Sequence, residues 1–193
     1  MVNKGTLYIF TGPSGTGKGT LLRDVMRHDD KLFLSVSATT RAPREGEAHG
    51  VHYFFLTHEE FDRRVAAGEF LEHATYVGNS YGTLEAPVQQ QLDEGNDVIL
   101  EIEVQGAQAV HAKRPDAVMI FVAPPSFEEL EKRLSGRGTE NPDTVRARLE
   151  TAKAELSHVR EFDYIIINDD LETATRELAS IFVAERCRNR EKH

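Results

Sequence analysis

The chain has almost no cysteine, no basic excess and no long apolar run. A single Cys187 among 193 residues excludes an internal disulfide, so no covalent tie points to an oxidising compartment. No segment reaches the roughly 20 apolar residues that a bilayer-crossing helix requires. The first residues, Met1-Val2-Asn3-Lys4-Gly5, lead into a strand candidate without the apolar h-region of a signal peptide. A cytoplasmic location is the expectation. The formal net charge is −9, which argues against general affinity for nucleic acid, because that binding needs a basic surface. Repeats and low-complexity tracts are also missing. The eight histidines, His28, His49, His52, His58, His73, His111, His158 and His193, show no metal-ligand spacing. Apolar residues make up 39% and charged residues 28%, as in an ordinary globular protein, and the length suits one substantial core.

The strongest positive signal is Gly12-Pro13-Ser14-Gly15-Thr16-Gly17-Lys18, set between the apolar run Leu7 to Phe10 and a helix-like segment from Gly19 to Arg27. Glycines at this spacing let successive backbone N–H groups turn inward around an oligophosphate. The start of the following helix adds its positive dipole end, and Lys18 adds a mobile cation. A nucleoside triphosphate is the expected ligand. The usual pattern continues with Ser or Thr, but here Gly19 intervenes before Thr20, so the hydroxyl that normally meets Mg²⁺ directly is missing. The metal must then lean on phosphates, water and acidic side chains.

Apolar strand candidates alternate with amphipathic helices, the pattern of an α/β fold on a parallel sheet. Leu7 to Thr11, Asp97 to Ile102, Val118 to Val122 and Tyr164 to Ile167 read as buried core strands, with Phe33 to Val36 as a further candidate. Thr57 with Glu60 and Ser126 with Glu129 form S/T-x-x-E capping boxes that predict helix starts. Val145, Leu149, Ala152, Leu156 and Val159 draw one apolar stripe down a predicted helix. Ala174, Leu178, Ile181, Phe182 and Glu185 repeat the pattern near the C-terminus, before a charged tail.

Two regions break the alternation. From Ser37 to Pro87 the chain is rich in Thr, Gly, His and Tyr, with short strand candidates at Tyr53 to Leu56, Phe70 to Tyr76 and around Tyr81; it reads as an inserted antiparallel subdomain. Ser135 to Pro142 is a glycine-flanked polar hinge with Arg137 at its centre, the composition of a closing lid. The arginines are grouped as well. Arg41 with Arg44, and Arg133, Arg137, Arg146 with Arg148, point to discrete phosphate sites in an acidic protein.

Taken in order, these stretches resemble the guanylate kinase family of nucleoside monophosphate kinases. The matching segments are Gly12 to Thr20, Ser35 to Glu47, Gly50-Val51-His52-Tyr53, Phe70-Leu71-Glu72, Gly78 to Thr83, Glu101 to Gly106, Arg133 to Thr139 and Asn168-Asp169-Asp170. Essentially the whole chain is covered. The resemblance implies a P-loop parallel sheet flanked by helices, with an inserted mixed GMP-binding subdomain and a short helical lid. One domain is expected, with its core in 1–36, 88–125 and 150–193, the GMP-binding subdomain in 37–87 and the lid in 126–149.

The implied reaction is ATP-dependent phosphorylation of GMP, and of dGMP, in purine nucleotide metabolism. Gly12, Pro13, Ser14, Gly15, Thr16, Gly17, Lys18, Gly19 and Thr20 would hold ATP, with Arg133, Arg137 and Asn168 toward its base. Ser37, Arg41, Arg44, Tyr53, Glu72, Tyr81, Thr83 and Glu103 would hold GMP. Here Arg41, Arg44 and the two tyrosine hydroxyls face the phosphate, Glu72 takes guanine N1–H and its amino group, Ser37 and Thr83 suit O6, and Glu103 approaches the amino group. Lys18, Arg41, Arg137 and Arg148 are the expected catalytic cations. Mg²⁺ would be held through phosphates and water, with Thr20, Glu101 or Glu103 available to it; many relatives carry Asp at the last of these and often at Glu101 too. The alternatives are a non-catalytic guanylate kinase-like module that grips a phosphopeptide, and a kinase for another nucleoside monophosphate.

Overall fold

The computed structural model describes residues 4–136 and 142–188, apart from the side chain of Pro142. Arg137 and most of the predicted hinge lie outside the described residues, as does the end of the charged tail. The chain divides into two compact units: Met1–Tyr8 with Lys31–Ala117, and Ile9–Asp30 with Val118–His193. Strand β1 (Leu7–Thr11) contributes to both.

The first unit contains β2 (Leu32–Leu34), β3 (Ala38–Thr39), β4 (Phe54–Phe55), helix α2 (His58–Ala66), β5 (Phe70–Tyr76), β6 (Asn79–Leu84), α3 (Glu85–Asp93), β7 (Asp97–Glu101) and α4 (Val104–Lys113). The second unit contains α1 (Lys18–Met26), β8 (Val118–Ala123), α5 (Phe127–Ser135), α6 (Pro142–Ser157), β9 (Tyr164–Ile167) and α7 (Leu171–Arg186). The parallel five-stranded sheet runs in the order β2-β7-β1-β8-β9. All residues of β1 and β8 are buried, which is why they read as continuous apolar runs instead of alternating ones.

In the first unit, β4-β3-β6-β5 form a second sheet. It is mixed: β3 pairs β6 and β6 pairs β5 antiparallel, but β3 pairs β4 in parallel. The antiparallel expectation for this segment therefore fails at one pair, because 14 residues separate Thr39 from Phe54 and let the chain return in the same direction instead of closing a hairpin. Ala38, Phe61, Phe70 and Leu84 form a small separate core beneath this sheet, with Phe54, Leu56 and Val65 packed against it.

Both capping boxes form their N-caps: Thr57 Oγ1 accepts the Glu60 N–H and Ser126 Oγ accepts the Glu129 N–H, each at 3.1 Å. In α6, Val145 and Leu149 pack with Ala152 against Leu130 and Leu134 of α5. Val159, placed at the end of that stripe by periodicity, instead opens a short 3-10 turn, Val159–Glu161. In α7, Ala174, Leu178 and Phe182 are buried as predicted, and so is Glu185. That carboxylate tolerates burial because the Tyr164 hydroxyl donates to it at 2.7 Å and Arg188 lies at 3.5 Å.

Candidate active site

In the second unit, the glycine-rich loop connects β1 to α1 with backbone conformations only glycine adopts easily: φ is 146° at Gly12, 88° at Gly15 and 84° at Gly17. Space is as restrictive as torsion. A Cβ on Gly12 would sit 2.1 Å from the Val122 carbonyl oxygen, and one on Gly17 would sit 2.7 Å from Asn168 Nδ2. Gly17 is also the N-cap of α1, which has neither a side-chain cap nor an acidic residue in its first turn. The helix start thus offers its N–H groups and positive dipole end to an anion.

Cations gather on the same loop. Lys18 Nζ donates to the carbonyl oxygens of Gly12 and Pro13, the latter at 3.1 Å, folding the ammonium back over the loop. Arg148 of α6 donates to Ser14 Oγ. Arg133 of α5 donates to the Asn168 carbonyl at 3.0 Å and to Glu129 at 3.3 Å. Asn168, predicted beside the base of the triphosphate, is buried just after β9, and its side-chain amide donates to the Thr16 carbonyl at 2.7 Å. It therefore ties the loop to the sheet, a role its sequence position could not disclose. Thr16 Oγ1 closes the turn on the Pro13 carbonyl at 2.9 Å.

Thr20 is exposed, and its hydroxyl accepts from Arg23 at 3.2 Å. Among the described residues, no cluster of three or more His, Cys, Asp or Glu could hold a metal ion.

The first unit holds the other predicted residues. A cavity of about 520 Å³ is lined by Ser37, Tyr53, Glu72, Tyr81, Glu101 and Glu103, together with residues of α4. Glu72 is the pivot. Thr83 Oγ1 donates to its Oε1 at 2.8 Å, while burial pushes its carboxyl above the usual carboxylate range, an effect that the Thr83 bond and nearby His73 oppose. The rings of Tyr53 and Tyr81 meet edge to face at 6.4 Å. Glu101 and Glu103 are both exposed at the end of β7, with Glu103 at the N-cap of α4.

Arg41 stacks over Tyr53 at 5.4 Å and Phe55 at 5.9 Å. Its guanidinium meets both oxygens of Glu47, at 2.9 and 3.0 Å, and the same carboxylate accepts the Arg44 backbone N–H at 2.7 Å. Glu47 thus holds the Arg41 guanidinium and the backbone at Arg44. Sequence reasoning gave it no role, although its spacing, six after Arg41 and three after Arg44, is the available signal. The Arg44 side chain is exposed.

A phosphate loop opening α1 beside β1 in a parallel sheet defines a P-loop nucleotide-binding protein with a second, mixed-sheet segment. The fold is similar to that of a shikimate kinase from Bacteroides thetaiotaomicron (TM-score 0.51, 15% identity, covering 92% of this chain and 98% of that one). A guanylate kinase structure from Anaplasma phagocytophilum is similar at TM-score 0.74 and 33% identity, covering 97% of this chain and 89% of that one. The guanylate kinase family model matches residues 4–185. Similar proteins named guanylate kinase include one from Clostridium perfringens, 48% identical over 96% of this chain and 86% of its own length. Another, from Parasynechococcus marenigrum, is 51% identical over 92% of this chain and 97% of its own.

The chain belongs to the guanylate kinase family, and its activity is the phosphorylation of GMP. The non-catalytic and other-monophosphate readings are not favoured. Among the described residues, no helix is long and apolar enough to cross a membrane.

Proposed function

We propose that GMP and dGMP occupy the cavity of the first unit and that the loop of the second unit holds ATP with Mg²⁺, in the cytoplasm. The observation that carries the acceptor assignment is Glu72, a half-buried carboxylate fixed by Thr83 in a cavity of about 520 Å³. Guanine presents N1–H and an exocyclic amino group on one edge, where a carboxylate accepts both. Adenine lacks that donor pair and would leave the buried acceptor unpaired, which is how a polar pocket rejects a near-isostere. Ser37 and Thr83 suit the O6 side, and Glu103 the amino group. Deoxyguanosine monophosphate keeps the same base edge and phosphate.

The acceptor phosphate has a second pKa near 6, so at neutral pH it is mostly dianionic and needs no general base. Positioning and charge neutralisation then carry the chemistry. Arg41, Arg44, Tyr53 and Tyr81 bind the acceptor phosphate. Lys18, freed from the Gly12 and Pro13 carbonyls, together with Arg133, Arg148 and Arg137, neutralises the donor phosphates. Arg137 lies outside the described residues and its assignment rests on the sequence. Mg²⁺, when bound, would add charge neutralisation at the donor phosphates, with Thr20, Glu101 or Glu103 the groups available to its water shell.

The two assignments separate experimentally. Lys18→Ala is expected to lower kcat by about 10²-fold or more, the scale of removing one preorganised charge contact, while calorimetric titration still reports GMP binding. Arg44→Ala is expected to weaken GMP mainly, by about tenfold. The reverse pattern would mean that the two phosphate sites have been exchanged.

A further inference from the structure

Helix α4 approaches β5 where β5 is irregular. Phe70 pairs with Leu84, and Glu72 with Thr83, so one extra residue, Leu71, is accommodated on β5 in a bulge. Such bulges redirect the next side chain. Two contacts from α4 meet this point. Lys113 Nζ donates to the Phe70 carbonyl at 2.8 Å, on the bulge itself. Gly106 lies against the Glu72 side chain: a Cβ there would stand 3.3 Å from Oε2 and 3.6 Å from both Cδ and Cγ.

Gly106 does not have the positive φ that requires glycine, and it sits in the first turn of a helix, where alanine is the better helix former. Its lack of a side chain matters through Glu72. The opposite side of that carboxylate is held by Thr83 at 2.8 Å, so Glu72 cannot yield to a methyl group at 106 without stretching the Thr83 bond or turning out of line.

We propose that α4 positions the Glu72 carboxylate for base selection, with Gly106 and Lys113 as positioning residues: Gly106 leaves the space into which the carboxylate fits, and Lys113 fixes the bulge that aims it. This deepens the assignment of Glu72 to the guanine edge and rests on it. The ligand chemistry concerned is the 2-amino, N1–H edge of a purine.

The test compares GMP with IMP, which keeps N1–H and lacks the 2-amino group, as acceptors for the full chain and for Gly106→Ala, Lys113→Met and Glu72→Gln. Thermal melting is measured on each. Gly106→Ala is expected to raise KM for GMP about tenfold, the scale of one misaligned hydrogen bond to a charged group, with kcat changed less. Its GMP-over-IMP preference should narrow while Tm stays level or rises. Lys113→Met should narrow the preference in the same direction. If Glu72→Gln narrows the preference but both α4 variants leave it unchanged, the positioning proposal is overturned while the Glu72 assignment stands. If Glu72→Gln also leaves it unchanged, the assignment itself fails and the proposal with it.

Discussion

Burial holds the free Glu72 carboxyl above its ordinary 4.5, so ionising it opposes folding. In the folded state this group binds its proton to higher pH than in the unfolded chain; its own contribution to stability is therefore fully present below 4.5 and is lost as pH rises through the raised folded value. Glu72→Gln removes that decline. The unliganded variant should melt higher than the parent at pH 7, and the advantage should vanish near pH 4, as differential scanning fluorimetry across that range would read. GMP affinity should move oppositely, falling in the parent as pH drops through the raised value, because only the carboxylate accepts from both guanine donors. Gly19 offers a second test at this scale. A Cβ there meets nothing within 4 Å, so Gly19→Ser should fold normally and supply the hydroxyl missing after Lys18. The Mg²⁺ concentration giving half-maximal activity should fall; an unchanged requirement would place the metal elsewhere.

Among the elements, the β5–β6 hairpin carries visible strain. Tyr76 pairs with Asn79 across a two-residue turn in which Val77 has φ 47° and Gly78 φ 75°. Both central residues of this hairpin turn take positive φ, which suits Asn-Gly and not a β-branched side chain. Val77 is also 78% exposed, so no packing compensates. Val77→Asn should stabilise the protein by about 1 kcal/mol, raising Tm by about 2–4 °C without altering turnover. Ser126→Ala should do the reverse by about 1 kcal/mol, since the α5 N-cap loses its acceptor.

Legibility in the sequence follows the same physics. Strands β1 and β8 and the two capping boxes are legible because burial and caps are local signals; β9 forms over the expected residues but is not the buried core strand its apolar run implied, since it lies at the sheet edge with Ile165 and Ile167 about half exposed. Periodicity alone misplaces Val159, because it does not register where a helix tightens into a 3-10 turn. The bulge at Leu71 and the parallel β3–β4 pair were invisible because register is set between strands distant in sequence. The tie that Asn168 makes to the phosphate loop and the fit of Gly106 against Glu72 are hidden for the same reason, each resting on a contact distant in sequence, whereas Glu47 acts locally, within six residues of Arg41.

At the scale of the whole molecule, a net charge of −9 coexists with two cationic sites, one in each compact unit. On the proposed assignment, discrete arginines and Lys18 bind phosphate where an overall basic surface would attract polyanions indiscriminately. The phosphate loop alone points to a triphosphate ligand, and the order of the remaining motifs points to the acceptor. The central claim is that this chain transfers phosphate to a guanine nucleotide chosen through Glu72. The direct measurement is ADP release from ATP in a coupled assay with GMP, AMP, UMP and CMP at equal concentration, for the parent and Glu72→Gln. The expected result is turnover with GMP far above the others, and a drop in kcat/KM for GMP of about tenfold or more in the variant. Turnover favouring AMP, or a GMP preference untouched by Glu72→Gln, would contradict it.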